Sequence, residues 1–162
     1  MTLNCRGLAS LPKKLAFKRL IEEQSLALIY LQETMCDGCI LVKDMELLLK
    51  GWQFVSVDAK CRYGGLLLGW RTRNFLLLNA WAMTSSLCVV LHSIELQLDI
   101  TFINLYGPYS DREFFWNNLL GIDCFKCPYL VFGGDLNFSL GLSEIWGVNA
   151  RVDALTDFFT NL

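Results

Sequence analysis

Residues 129–141 read YLVFGGDLNFSLG, an apolar run and two glycines followed by an acid and an amide two positions apart, Asp135 and Asn137. A run such as Tyr129–Phe132 has the composition of a buried strand. Such strands ordinarily close in plain turn chemistry, for which GG followed by DLN would serve. On an extended segment, residues i and i+2 point the same way. Asp135 and Asn137 can therefore address one object together, and what that object is depends on which other polar groups reach the same place.

The chain has 162 residues, 54% hydrophobic and 13% aromatic, enough apolar mass for the core of one globular domain. A net charge of −2 neither selects nor excludes a nucleic-acid partner whose site is local. The mean hydropathy of +0.38 directs attention to Asn74–Ile94, which contains no acid, Lys or Arg. Its middle is Thr84, Ser85 and Ser86, with Asn79 and His92 also inside, whereas a spanning helix needs about twenty predominantly apolar residues. Two strands joined by a TSS turn are expected instead, with no membrane partner. MTLNCRGLASLPKK lacks the long apolar segment of a signal peptide. The expected location is intracellular, the nucleus included.

Seven cysteines, an odd number in a chain read as intracellular, fit reduced thiols packed as small apolar residues. Cys36 with Cys39 and Cys124 with Cys127 have zinc-like C-x-x-C spacing. The first pair follows one strand and the second precedes another, however, so parallel strands would put them at opposite ends, and no zinc is expected. Lys13, Lys14, Lys18, Arg19, Arg71 and Arg73 read as a solvated helix face and a polar turn. His92, inside the run LCVVLHSI, reads as a structural or surface histidine.

The pattern predicts an opening strand TLNC, then a helix over Ser10–Gln24 with Ser10 as N-cap and Pro12 in its first turn. A strand Leu26–Glu33 and a helix over 40–50 follow. A run of β segments comes next: WQFVSVDA, GGLLLGW, FLLLNAWAM, LCVVLHSI and ITFINLY. SDREFFWNNLL opens as a capping box, Ser110 with Glu113, and carries an apolar stripe of Phe114, Phe115 and Leu119. The strand PYLVFGGDLN, a loop, and an amphipathic helix running to the last residues complete a single domain. The expected core includes Leu26–Leu31, Leu66–Leu68, Val89–Leu91 and Leu130–Phe132.

Three strands thus end in polar residues: Asn4 after TL, Glu33 after LALIYLQ, and Asp135 with Asn137 after YLVFGG. In layered α and β folds that edge collects ligands. Two carboxylates and two amides form a hard oxygen set suited to magnesium, which in turn points to phosphate chemistry. Singly, QET and GDLN read as turns.

LNCRGL, YLQET, GGLLLGW, NLYGP and GGDLN occur in the order and approximate spacing of the endonuclease/exonuclease/phosphatase (DNase I-like) superfamily, which the chain resembles. More narrowly, NCRGL, YGPYSDREFFWNNL and GGDLNFSLGLSEIWG are similar to the endonuclease module that precedes a reverse transcriptase in plant non-LTR retrotransposons. The resemblance implies an α+β fold, a four-layered α/β/β/α sandwich with the motifs at the top of two sheets. It implies Glu33 as metal ligand with Asn4 beside it, Asp135 as the group that positions or deprotonates the attacking water, and Asn137 as its orienting partner. Tyr106 would be the tyrosine on the scissile phosphate. Magnesium, with manganese as an alternative, would be the cofactor and DNA the substrate of a nicking phosphodiester hydrolase. The alternatives are an inactive remnant of such a domain or an enzyme of the phosphatase branch.

Departures accompany the resemblance. Cys5 and Arg6 stand where some branches carry an acid, and Tyr109 stands where an asparagine is common. The Ser-Asp-His motif is absent, so the sandwich is expected to be incomplete at the C-terminus, weak or inactive, and a monomer or an aggregation-prone fragment with apolar faces such as Phe158 and Phe159 open. Glu144 and Trp146 match a family stretch near the site, but cap and core roles explain them equally.

Overall fold

Whether a strand is apolar on one face or on both depends on what covers it, and the chain uses both kinds. The computed structural model describes residues 1–60, 63–83, 85–122, 127–147 and 151–161. Its elements are β1 (Thr2–Asn4), α1 (Leu11–Glu23), β2 (Leu28–Gln32), α2 (Gly38–Leu48), β3 (Trp52–Lys60), β4 (Tyr63–Arg71), β5 (Phe75–Met83), β6 (Ser86–Ser93), β7 (Leu98–Tyr106), α3 (Arg112–Leu120), β8 (Leu130–Asp135) and α4 (Thr156–Thr160). One four-stranded sheet runs β1-β2-β4-β3 and the other β5-β6-β7-β8.

β2 is buried on both faces, which explains its unbroken apolar run. Ile29 and Leu31 face outward and pack with Phe17, Ile21, Leu41 and Met45 of α1 and α2. Tyr30 faces inward, where Leu68, Trp70, Leu91 and Phe102 fill the space between the sheets. On the far side, Cys88, Ile103 and Leu105 of the second sheet meet Trp116 and Leu119 of α3 and Leu155 before α4. Helix, sheet, sheet and helix are therefore stacked around three apolar layers, the α/β/β/α sandwich expected from the sequence.

Two parallel pairings decide where the polar strand ends go. β1 lies parallel to β2 with Asn4 opposite Gln32, and β7 lies parallel to β8 with Tyr106 opposite Asp135. All four strands therefore finish at the same edge. The Asn74–Ile94 stretch forms the antiparallel β5–β6 hairpin. Among the described residues, no helix is long and apolar enough to cross a membrane.

Several expectations are corrected. Val131 and Phe132 are 45% and 48% exposed: among the described residues β8 stands at the edge of its sheet, paired with β7 alone. Asp111, in a left-handed conformation, rather than Ser110 stands at the N-cap position of α3, without a side-chain capping bond, and the buried residues of the helix are Trp116 and Leu119 while Phe114 is exposed. The C-terminal helix is a single turn, Thr156–Thr160. Phe159 is not an open face: it stacks on Phe138 with centroids 3.9 Å apart and meets Trp116 edge-on at 5.0 Å. Trp146 is 97% exposed and plays no core role, whereas Glu144 accepts a hydrogen bond from the Leu140 amide at 2.8 Å. α2 begins earlier than expected, at Gly38, because Asp37 caps it through the Ile40 amide. Thr84 of the expected turn and Cys124 of the second cysteine pair lie outside the described residues.

The edge needs glycine at two points. Gly134 has φ +150°, and a Cβ there would lie 1.9 Å from the Leu105 carbonyl oxygen of the neighbouring strand. A Cβ on Gly107 would lie 2.1 Å from the Leu136 carbonyl oxygen. Both clashes are with backbone, which no rotamer change relieves. Gly107→Ala is therefore expected to destabilise the fold by about 1–3 kcal/mol in urea denaturation, the usual cost of overpacking. Gly141→Ala, where the nearest atom would be a serine hydroxyl 3.8 Å away, should change stability little.

Candidate functional site

The last residues of β1, β7 and β8 and the first residue past β2 make one polar cluster. Asn4 Nδ2 donates to Glu33 Oε1 at 3.0 Å and to Asp135 Oδ2 at 2.7 Å, so one amide nitrogen joins a carboxylate from each sheet. Tyr106 Oη donates to the same Glu33 oxygen at 2.6 Å. Asp135 Oδ1 accepts the Asn137 backbone amide at 3.2 Å. All five residues singled out from the sequence therefore meet at one edge.

Local backbone explains how they are aimed. Glu33 has φ +51°, a left-handed turn that ends β2 and leaves its carbonyl to the Gly7 amide at 2.7 Å. Asn4 Oδ1 accepts the Arg6 amide at 3.2 Å, which orients the side chain so that its NH2 group faces the acids. Lys13, expected on a solvated face, ties down the same loop by donating to the carbonyls of Arg6 and Gly7 at 3.0 and 2.9 Å.

Asn137 corrects one expectation. β8 ends at Asp135, and Asn137 sits beyond it with φ +51°, so the two side chains do not share the face of an extended segment. Its Nδ2 donates instead to the Gly107 carbonyl, linking the exits of β7 and β8. Sequence reading missed its holder: Arg112 Nη2 donates to the Asn137 carbonyl at 2.6 Å and to Asp153 Oδ2 at 2.9 Å. Burial raises the Asp153 pKa, but hydrogen bonds from Arg112 and the Leu155 amide outweigh it and hold the carboxyl below its usual range.

The electrostatics favour a cation. The Tyr106 hydrogen bond, then that of Asn4, hold the Glu33 carboxyl below its ordinary pKa against some desolvation. Burial and the Glu33 hydrogen bond push the Tyr106 phenol well up, which keeps it a donor. Among the described residues, neither Glu33 nor Asp135 forms an ion pair with Lys, Arg or His. Two adjacent carboxylates share only neutral donors, with Arg6 contributing to Glu33 at longer range.

No group of three or more His, Cys, Asp or Glu gathers as a metal centre among the described residues. Two carboxylates nevertheless suit magnesium, which commonly takes one or two carboxylates and keeps its other positions for water and phosphate. Asn4, expected as a ligand beside Glu33, turns its NH2 group to the acids and its oxygen to the Arg6 amide, so it holds the carboxylates instead. Burial pushes the Cys5 thiol up to about 12, and its Sγ donates to the Leu3 carbonyl. Cys36, just past the Glu33 end of β2, donates to the Thr34 carbonyl, and Cys127 lies before the opposite end of β8. His92 is also remote: it is next to last in β6, whose first residue is the one at the site edge, and contacts Asp99 at 2.7 Å.

No protein-family model matches the chain, and no curated protein sequence does either. Solved structures do. An AP endonuclease from Leishmania major superposes with a TM-score of 0.71 at 16% identity, over 99% of this chain and 64% of that one. The endonuclease domain of TRAS1, a telomere-specific non-LTR retrotransposon, gives 0.66 at 15% identity, over 99% and 66%. A mannosyl-6-phosphatase from Bacteroides thetaiotaomicron gives 0.61 at 12% identity, over 85% and 64%. The chain thus spans about two thirds of the length of each, and at these identities the likeness is one of fold.

Removing the shared donor tests the cluster. Asn4→Ala should cost about 1–3 kcal/mol at pH 7, because it strips a hydrogen bond from two charged groups. A depressed folded pKa stabilises above the unfolded value and loses that contribution as pH falls through the folded value. The difference between wild type and variant in urea denaturation should therefore be full above about pH 4.3 and shrink below it.

Proposed function

We propose that this chain, which has the endonuclease/exonuclease/phosphatase (DNase I-like) fold, is a magnesium-dependent phosphodiester hydrolase that nicks DNA, of the kind carried by non-LTR retrotransposons. The observation that carries the reading is the Asn4 amide shared by Glu33 and Asp135, which puts two uncompensated carboxylates from separate sheets at one point. Two fold neighbours, an AP endonuclease from Leishmania major and a D. rerio TDP2 complexed with single-strand DNA product, support the substrate class.

Glu33 and Asp135, both oriented by the Asn4 NH2 group, would hold magnesium, or manganese in its place, and the ion would offset charge on the phosphate and the leaving oxygen. Asp135 accepts a proton from the attacking water as general base. Its orientation comes from both sides, Asn4 on Oδ2 and the Asn137 amide on Oδ1. Asn137 acts through Asp135 and through the Gly107 carbonyl that its side chain holds. The Tyr106 hydroxyl, kept protonated, donates to Glu33 and would contact an oxygen of the scissile phosphate. Tyr109, 75% exposed and edge-on to the Tyr106 ring at 6.5 Å, offers a face to the neighbouring nucleotide. Contacts to the backbone would be few, Arg6 being the exposed cation beside Glu33, so binding should be weak and salt-sensitive.

A second reading, a weak or inactive remnant, is favoured by His92. It is the single histidine of residues 1–162 and stands away from the site edge, so no imidazole of this stretch stabilises the developing phosphate charge. Loss of one preorganised contact of that kind costs about 10²–10³ in rate.

Residues 1–162 should therefore nick supercoiled plasmid slowly with magnesium or manganese, and Glu33→Ala or Asp135→Ala should abolish the residual activity. A soluble phosphomonoester assayed in parallel identifies the phosphatase branch if it is the better substrate. Complete inactivity of the wild type supports the remnant. Fast cleavage unaffected by either substitution contradicts the assigned site.

A further inference from the structure

One layer below the carboxylates, two fully buried amides meet across the sandwich. Gln32 and Asn104 are both 0% exposed. Gln32 Nε2 donates to Asn104 Oδ1 at 2.6 Å, and Asn104 Nδ2 donates to the carbonyls of Leu31 and Leu67, each at 3.0 Å. Thr2 Oγ1 donates to Gln32 Oε1 at 3.3 Å. Strands β1, β2 and β4 of one sheet are thereby fastened to β7 of the other.

Stability alone does not call for this arrangement. Burying an amide costs free energy that its hydrogen bonds roughly return, and two apolar side chains of the same volume would pack there about as well. What apolar packing lacks is direction: aliphatic faces tolerate small slides that a fully satisfied hydrogen-bond network does not. The two amides also stand where direction matters. Gln32 immediately precedes Glu33, and Asn104 is two residues before Tyr106 on the same face of β7. The 2.6 Å bond from Tyr106 to Glu33 requires the ends of β2 and β7 to be in register across the gap. Asp135 follows, since it pairs with Tyr106.

We infer that Gln32 and Asn104 form a positioning pair, an amide clamp between the two sheets that sets where Glu33 stands relative to Tyr106 and Asp135. Its consequence for cation binding rests on the function proposed above, while its consequence for the Glu33–Tyr106 contact does not.

The test uses residues 1–162 as wild type, Gln32→Met, and the double variant Gln32→Met/Asn104→Leu. Methionine keeps the unbranched length of glutamine without its donor and acceptor, and the single variant leaves both Asn104 bonds to backbone in place. Ile21→Val, at a fully buried position between α1 and the outer face of the first sheet, away from the clamp, is the control for stability loss alone. Folding is followed by thermal melting. The contact is read without metal as the nuclear Overhauser effect between the Tyr106 ring and the Glu33 side chain, and Mn²⁺ affinity is read by titration.

Folded clamp variants should lose the Tyr106–Glu33 effect and bind Mn²⁺ about 10–100-fold more weakly, the usual range for residues that orient metal ligands. Ile21→Val should melt earlier and keep both. Should the double variant fail to fold, Gln32→Met carries the test. A folded Gln32→Met with the contact and the affinity of wild type overturns the clamp and leaves the proposed function standing. A wild type that binds no Mn²⁺ overturns the proposed function, and the metal-free contact then decides the clamp by itself.

Discussion

The Nδ2 atom of Asn4 touches a carboxylate from each sheet, joining residues 131 positions apart in the chain. Everything at the edge depends on that atom being able to reach both. Parallel pairing of β1 with β2 delivers Asn4 and Glu33 to one end of the first sheet, and parallel pairing of β7 with β8 delivers Tyr106 and Asp135 to the same end of the second. The apolar layer between the sheets, with Leu68, Trp70, Leu91 and Phe102 in it, holds the two ends face to face. An antiparallel β8 would have put Asp135 at the opposite end, beside Ser93 and His92, with the same composition and no site.

The polar ends of strands were legible because they break a strong pattern: LALIYLQ stops at Glu33 and YLVFGG stops at Asp135, where an apolar run gives way to charge. The layered fold followed from the same runs together with the resemblance carried by five short motifs. What escaped the sequence depends on distant partners. Gln32 and Asn104 lie 72 residues apart, and nothing local to either marks the other as its partner. Arg112 reads as an ordinary helix-start residue until Asp153 and the Asn137 carbonyl come within reach of it. Strand β8 reads as buried because hydrophobicity does not reveal that a strand is last in its sheet. The turn at Asn137 was misjudged for a local reason: Gly-Asp-Leu-Asn looks extended, but the chain turns left-handed one residue after Leu136.

Restraint at the site comes in tiers. Asn4 and Tyr106 hold the Glu33 carboxylate directly, and the Arg6 amide and Lys13 hold Asn4 and its loop. Arg112 holds the loop carrying Asn137, and Asn137 holds Asp135 and Gly107. Close backbone approaches at Gly107 and Gly134 leave no room for a side chain where β7 and β8 leave the sheet. The result is two negative groups fixed next to each other by neutral donors. Among the described residues neither forms an ion pair with Lys, Arg or His, so the proposed divalent cation would be their counter-charge.

The most direct measurement is paramagnetic broadening of the amide and side-chain NMR signals of residues 1–162 on addition of substoichiometric Mn²⁺. The expected result is selective loss of signals from Asn4, Glu33, Tyr106 and Asp135, reversed by excess magnesium and absent in Glu33→Ala and Asp135→Ala. Broadening centred elsewhere, for instance on His92 and Asp99 or on Lys14 and Asp44, or broadening that survives both substitutions, would contradict the assignment of this edge as the cation site.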